Sequence, residues 1–529
     1  MKKLLALLAF SGLFFVSCSD DDTVTDPGGG TPEPPIEYTS GSADLSNFVA
    51  LGNSLTAGFS DQALFIEGQE ASFPNMMAGS FAEAGGGEFT IPFMADNLGG
   101  MTVLGNQLFP NRLYLDFSTG SPLPTEVSGT PATEATNKLS GSFNNMAVPG
   151  AKSYHLLANG YGSLAGLQVG AANPYFVRFS SGETASVIGD ALAQGPTFFS
   201  LWIGNNDVLQ YAVTGGVGED QTGNTNPLTY GGNDISDPQV VGGSIDGILA
   251  QLAGVGAKGV IANIPDVTRI PFFTTVPFAP LDPTDPDFGP LIPILNEQIF
   301  GGLNQAFAFL GVPERSIVFN TDAASALVIK DESLPDLSAQ ITQVLIGGGL
   351  DAPTATILGL LYGQARQATA DDLVVFTSQT VIGQVNQKAL QDLLDLGVPA
   401  ATAGQLSVNG ITYPLEDQWV LTPEEQQAVV TATTTYNAAI EALAQKYDLA
   451  FVDMNAFYNQ VETEGVPLAD GSVVTAEYAT GGAFSLDGVH PSPRGYALVA
   501  NEFIKAIEAK YGAVLPSVDP LAYTGLYIN

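Results

Sequence analysis

Four short apolar runs alternate with stretches of helical periodicity along this chain, and that alternation constrains the fold more than any other feature. Residues 47–51 stop at Gly52 and residues 197–203 stop at Gly204. Residues 259–263 follow a helical stretch near 240–252, and residues 449–452 follow another. Short apolar runs separated by helices are the sequence sign of a parallel sheet covered by helices. The helix before the last run opens with Thr422, Pro423 and Glu425, a cap, a first-turn proline and the acid of a capping box. A final helix starts at Ser492 and Pro493, and Tyr496, Val499, Ala500, Phe503, Ile504 and Ile507 share one face of it. Between 263 and 422 the pattern is less regular, with proline-rich turns at 277–293 and apolar runs at 341–350 and 357–362. No internal repeat is present. The expectation is one α/β domain over 38–529, its early and late parts joined by an insertion over approximately 264–421, with a separately folding second domain as the alternative.

The charge balance narrows the partners. Sixteen Lys and Arg stand against 54 Asp and Glu, a formal net charge of −38. Phosphate recognition needs clustered cations, so nucleic acid is excluded as a partner. Only 13% of residues are charged and 45% are apolar, which separates this chain from disordered acidic proteins and allows a large core.

The N-terminus reads as an address. Met1-Lys2-Lys3 precedes an apolar run to Ser17 that is too short to span a bilayer, so residues 1–17 read as a secretory signal. The run ends in Phe15-Val16-Ser17-Cys18, which resembles the lipobox of bacterial lipoproteins. Cys18 is the only cysteine in the chain, so an exported protein has its sole sulfur where lipid would be attached. Residues 18–37 read as a lipidated cysteine and a spacer rich in Asp, Pro and Gly. The acidic triplet Asp20 to Asp22 resembles the surface-export signal of Bacteroidetes lipoproteins, a solvated charge run being the alternative. The implied location is the cell envelope, at the outer membrane through the anchor on Cys18.

In open parallel sheets, ligands bind beyond the carboxyl ends of the strands. The first run delivers Gly52-Asn53-Ser54-Leu55. A serine between strand and helix projects its hydroxyl while its N–H lies at a helix start, although a capping serine has the same signature. The chain holds only two histidines, His155 and His490. A multi-histidine metal site is therefore excluded, and any imidazole base is one of the two. His490 lies in Asp487-Gly488-Val489-His490-Pro491, where an acid three residues earlier can reach one ring nitrogen and aim the other at a nucleophile. His155 has no acidic neighbour within several residues and reads as structural or surface. The Asn206 amide in Gly204-Asn205-Asn206-Asp207 and the Gly150 N–H at the end of Asn144 to Gly150 are candidate donors, with simple turns as the alternative.

Taken in order, these four segments resemble the GDSL lipase/esterase family, the SGNH hydrolases. The resemblance rests on Gly52 to Leu55, Gly150, Gly204 to Asp207 and Asp487 to Pro491. It implies a three-layer α/β/α fold with a central parallel sheet and a large insertion between the third and last blocks. It further implies a serine hydrolase acting on carboxylic esters, whether lipid, short acyl or O-acetylated glycan. Ser54 would be the nucleophile, His490 the base and Asp487 its orienting acid, with Ser54, Gly150 and Asn206 as the oxyanion hole. No metal or organic cofactor is implied. Asn53 stands where the family has Asp, outside the triad, and the gap from Asp207 to Asp487 is long for the family.

Two further expectations come from the insertion and the tether. The apolar runs at 341–362 would form either a lid or acyl-chain wall above Ser54, or ordinary buried packing. The competing function is a surface lipoprotein that binds glycan or protein on an inactive hydrolase scaffold.

Overall fold

The four apolar runs become four parallel strands lying side by side in chain order: β1 (Phe48–Gly52), β2 (Phe198–Trp202), β3 (Lys258–Ala262) and β4 (Ala450–Val452). Phe48 pairs with Phe198 and Gly52 with Trp202, so the first two strands end level. Every residue of β1 and β2 is buried. Burial on both faces explains why these strands read as continuous apolar runs and not as alternating patterns. The computed structural model describes residues 36–118 and 122–528. The signal at 1–17, Cys18 and nearly all of the 18–37 spacer lie outside the described residues, while Tyr38–Asn529 form one compact unit.

A fifth extended segment, read from sequence only as a turn, lies along the free edge of β1. The Ala50 N–H donates to the Asn144 carbonyl, and the N–H groups of Met146 and Val148 donate to the carbonyls of Ala50 and Gly52, all within 3.0 Å. Asn144 and Asn145 donate their side-chain amides to the carbonyls of Phe48 and Thr56. Polar side chains thus hold a strand-like segment whose sequence lacks a strand pattern, and they deliver Gly150 beside the end of β1.

The principal helices are α1 (Ser54–Ala57), α2 (Phe73–Glu83), α3 (Asn206–Val213), α4 (Pro238–Gly254), α5 (Phe300–Leu310), α6 (Ser338–Gly347), α7 (Ala352–Tyr362), α8 (Pro423–Lys446) and α9 (Pro493–Tyr511). Phe73 of α2 and Phe503 of α9 stack at 4.6 Å and flank Trp202 of β2 at 5.7 and 6.0 Å. Emptying such a buried aromatic site typically costs about 3–5 kcal/mol. Helices α4 and α8 pack against each other, and α8 also packs on β3 and β4. The local start signals operate as expected. The Glu425 carboxylate accepts from the N–H and hydroxyl of Thr422, and Ser492 accepts from the Gly495 N–H.

The insertion builds its own apolar core, drawn from residues between Val276 and Val420. Residues 264–273 belong instead to the main core, through Ile264, Val267, Ile270, Phe272 and Phe273. Arg366 clamps Asp331 and Asp372 at 2.6 and 2.7 Å. Arg315 donates to the carbonyls of Pro335, Tyr362, Gly363 and Ala365. The apolar runs at 341–362 form α6 and α7, with Ile341, Leu345, Leu358 and Tyr362 buried in this second core. Among the described residues, no helix is long and apolar enough to cross a membrane.

Candidate active site

Ser54 opens α1 directly beyond β1, and the turn that carries it tolerates little variation. A Cβ on Gly52 would lie 2.1 Å from Thr56 Oγ1 and 2.5 Å from the Trp202 carbonyl oxygen, so only glycine fits where β1 meets β2 and α1. Asn53 caps α1 by accepting the Leu55 N–H at 3.1 Å. Its amide donates to Asn205 Oδ1 at 3.1 Å, tying the turn after β1 to the turn after β2. An aspartate at 53 could keep the cap, but it could not donate to Asn205.

His490 Nε2 lies 2.9 Å from Ser54 Oγ, and its Nδ1 lies 2.8 Å from Asp487 Oδ2. Three side chains separated by 436 positions at the widest therefore form one hydrogen-bonded line. Asp487 is held closely. Its Oδ1 accepts from the N–H groups of Val489 and His490 and from the Ser485 hydroxyl, while Oδ2 also accepts from the Gln62 N–H. Burial alone would raise the Asp487 pKa. The adjacent His490 and these N–H donors outweigh it and bring the carboxyl down to about 2. An ionised Asp487 fixes the proton of neutral His490 on Nδ1, leaving Nε2 to accept from the Ser54 hydroxyl.

The residues of the three expected oxyanion donors line one cleft. The N–H groups of Ser54 and Gly150 have no acceptor among the described residues. Gly150 sits at φ +80°, a backbone that L side chains rarely adopt. Asn206, at the start of α3, donates one amide hydrogen to the Ala151 carbonyl at 3.0 Å. That carbonyl can only accept, which fixes the amide orientation and leaves the second amide hydrogen free.

Ser54, Gly150, Asn206, Asp487 and His490 line a cleft of about 490 Å³ whose walls are mainly apolar, including Phe59, Phe109, Leu113, Leu209, Phe272 and Phe376. This lies within the range of about 300–1,000 Å³ usual for small-molecule pockets. Ser54 and His490 also line a smaller recess of about 40 Å³, bounded by Ile270, Tyr458 and Phe484. No residue of 341–362 lines either space, which corrects the lid expectation. The insertion reaches the cleft through Phe376 and Thr377, with Phe272 just before it.

His155 lies outside the cleft and the recess beside Ser54. Its Nδ1 accepts the Lys152 N–H at 3.0 Å, its ring stacks on Tyr161 at 4.6 Å, and burial pulls its pKa down to about 4. Asp207 is buried and accepts from the N–H and hydroxyl of Ser153. Sequence reading missed Phe59, whose ring packs 4.6 Å from His490, and also Asp61, Gln62 and Ser485 around Asp487. Their signal was proximity alone: the first three follow the Ser54 turn and Ser485 precedes Asp487. Among the described residues, no group of three or more His, Cys, Asp or Glu could hold a metal ion. No family model, curated protein or solved structure matches the chain.

Proposed function

We propose that this chain is a serine esterase of the SGNH type, with the three-layer α/β/α architecture of that family, exported and tethered to the cell envelope through a lipidated Cys18. The observation that carries the reading is the unbroken line from Ser54 Oγ through His490 to Asp487, in one cleft with Gly150 and Asn206, where two backbone N–H groups and one amide hydrogen have no acceptor among the described residues.

The reaction is a two-step acyl transfer. His490 Nε2 takes the proton of Ser54 as Oγ attacks the ester carbonyl carbon, and Asp487 stabilises the imidazolium that forms. The carbonyl oxygen gains negative charge and meets the N–H groups of Ser54 and Gly150 and the Asn206 amide. As the tetrahedral intermediate collapses, His490 gives its proton to the leaving alkoxide, which departs as the alcohol. Water, deprotonated by His490, then attacks the acyl-serine, releasing the carboxylic acid and returning the proton to Ser54. The apolar cleft supports an ester bearing an apolar group on at least one side.

Hydrolysis of p-nitrophenyl esters tests this reading. The wild-type chain is expected to release nitrophenol in a reaction abolished by Ser54→Ala. A folded wild-type protein with no hydrolysis across a panel of acyl lengths and acetylated glycans would favour the scaffold that only binds.

A further inference from the structure

Behind Asp487 lies a second acid that the proposed reaction does not use. Asp61 is 2% exposed and accepts the Leu486 N–H at 2.9 Å and the Ser60 hydroxyl at 3.1 Å. Its own N–H donates to Ser485 Oγ, whose hydroxyl donates to Asp487. The next residue, Gln62, donates its N–H to Asp487 Oδ2, the oxygen that also accepts from His490. The loop of residues 60–62 thus grips the loop of residues 485–487 at three points.

The backbone there is strained. Asp61 and Gln62 sit at φ +51° and +61°, and neither is glycine. Left-handed backbone is unfavourable for a residue with a Cβ, and it persists only where surroundings over-determine it. The turn is what aims the Gln62 N–H at Asp487. The Asp61 carboxylate bond to Leu486 and the Leu113 N–H bond to the Asp61 carbonyl hold it in place. Burial pushes the Asp61 carboxyl up to about 7 and the charge of Asp487 adds to it, while the bonds from Leu486 and Ser60 and the charge of Arg112 oppose it. A buried carboxyl costs stability, so packing alone does not account for it.

We infer that Asp61 is a positioning residue, whose carboxyl bond to the Leu486 N–H locks the 60–62 turn so that Gln62 and Ser485 hold Asp487 in line with His490. Asp61 does not line the cleft, so it acts on turnover through Asp487 and His490 and not on substrate contact. The inference rests on the esterase reading for its kinetic consequence, but its geometric content is independent of it.

The test compares Asp61→Ala and Asp61→Asn with wild type by ester kinetics and by NMR of protein with ring-labelled histidine. With only two histidines, the spectra are simple. His490 is expected to carry its proton on Nδ1, and His155, whose Nδ1 accepts from Lys152, on Nε2. Asp61→Ala should lower kcat by about 10- to 100-fold with KM within about twofold, as small misplacements at catalytic groups do. It should also perturb the His490 signals while leaving those of His155 unchanged. Asp61→Asn keeps an oxygen for the Leu486 N–H and should restore both kcat and the His490 signals. Unchanged His490 signals and unchanged kcat in Asp61→Ala would overturn the inference, as would joint loss of both histidine environments, which indicates a purely structural role. Perturbed His490 signals in a chain with no wild-type hydrolysis would sustain the positioning role and remove the esterase reading.

Discussion

Asn53 donates its side-chain amide to the side-chain carbonyl of Asn205 across 3.1 Å, joining the serine turn to the turn that carries Asn206. Asn53→Ala removes this bond and the α1 cap together, and the Asn205 carbonyl is left buried. The expected cost is about 2 kcal/mol of stability, measured by urea unfolding, with a fall in kcat. Asn53→Asp keeps the cap. Asn205 makes no other side-chain hydrogen bond among the described residues, so its amide can turn to donate, and activity within about threefold of wild type is expected.

Asn206→Ala removes one of three donors to the developing oxyanion. The expected loss is about 10²–10³ in kcat with KM nearly constant, smaller than the loss in Ser54→Ala. Steady-state kinetics on one ester decide it. Wild-type kcat in Asn206→Ala would remove the residue from the oxyanion hole.

Phe376 is the insertion's aromatic contribution to the cleft wall. Phe376→Ala should lower kcat/KM for esters with long apolar groups by about tenfold while changing acetyl ester hydrolysis by less than about twofold, since apolar pocket contacts are worth about 1–3 kcal/mol. A panel of p-nitrophenyl esters of increasing acyl length checks it. Equal effects on all lengths would mean that Phe376 supports the fold and not the substrate.

Stability should decline toward alkaline pH through a pair of acids at the return from the insertion. Burial pushes Asp417 and Glu425 upward; the charge of Glu332 adds to the rise at Asp417 while its hydrogen bond with Glu425 opposes it, and Asp417 adds to the rise at Glu425. Both bind a proton more tightly in the folded chain. Their contribution is complete below the ordinary carboxylate range and is lost as pH rises through the raised values. Urea unfolding at about pH 5 and about pH 8 should show lower stability at the higher pH. Glu425→Gln, which keeps an oxygen for the Thr422 N–H, should flatten that difference.

The parts of the site that were legible in sequence are those set by local chemistry. Asp487 and His490 are three residues apart, and the bonds between them close within that turn. Ser54 and Asn206 stand at strand ends that continuous apolar runs announce. The remainder depends on distant partners. Residues 144–148 lie along β1 through backbone bonds, with Asn144 bonded to β1 and Asn145 to α1 by their side chains, and no strand pattern marks them. The left-handed turn at Asp61 and Gln62 carries no glycine to signal it; bonds between Ser60 and Ala63 close it, and distant partners at Leu113, Ser485 and Leu486 hold it. The runs at 341–362 read in sequence as either a lid or buried packing, and they are packing, because the insertion has a core of its own that they fill.

The central claim is that Ser54 is an activated nucleophile, and the most direct measurement is mass spectrometry of the folded protein after treatment with a fluorophosphonate. The account predicts one covalent phosphonyl adduct on the peptide containing Ser54, absent in Ser54→Ala and strongly slowed in His490→Ala. No adduct on the folded wild-type chain, or an adduct that persists unchanged in Ser54→Ala, would contradict it.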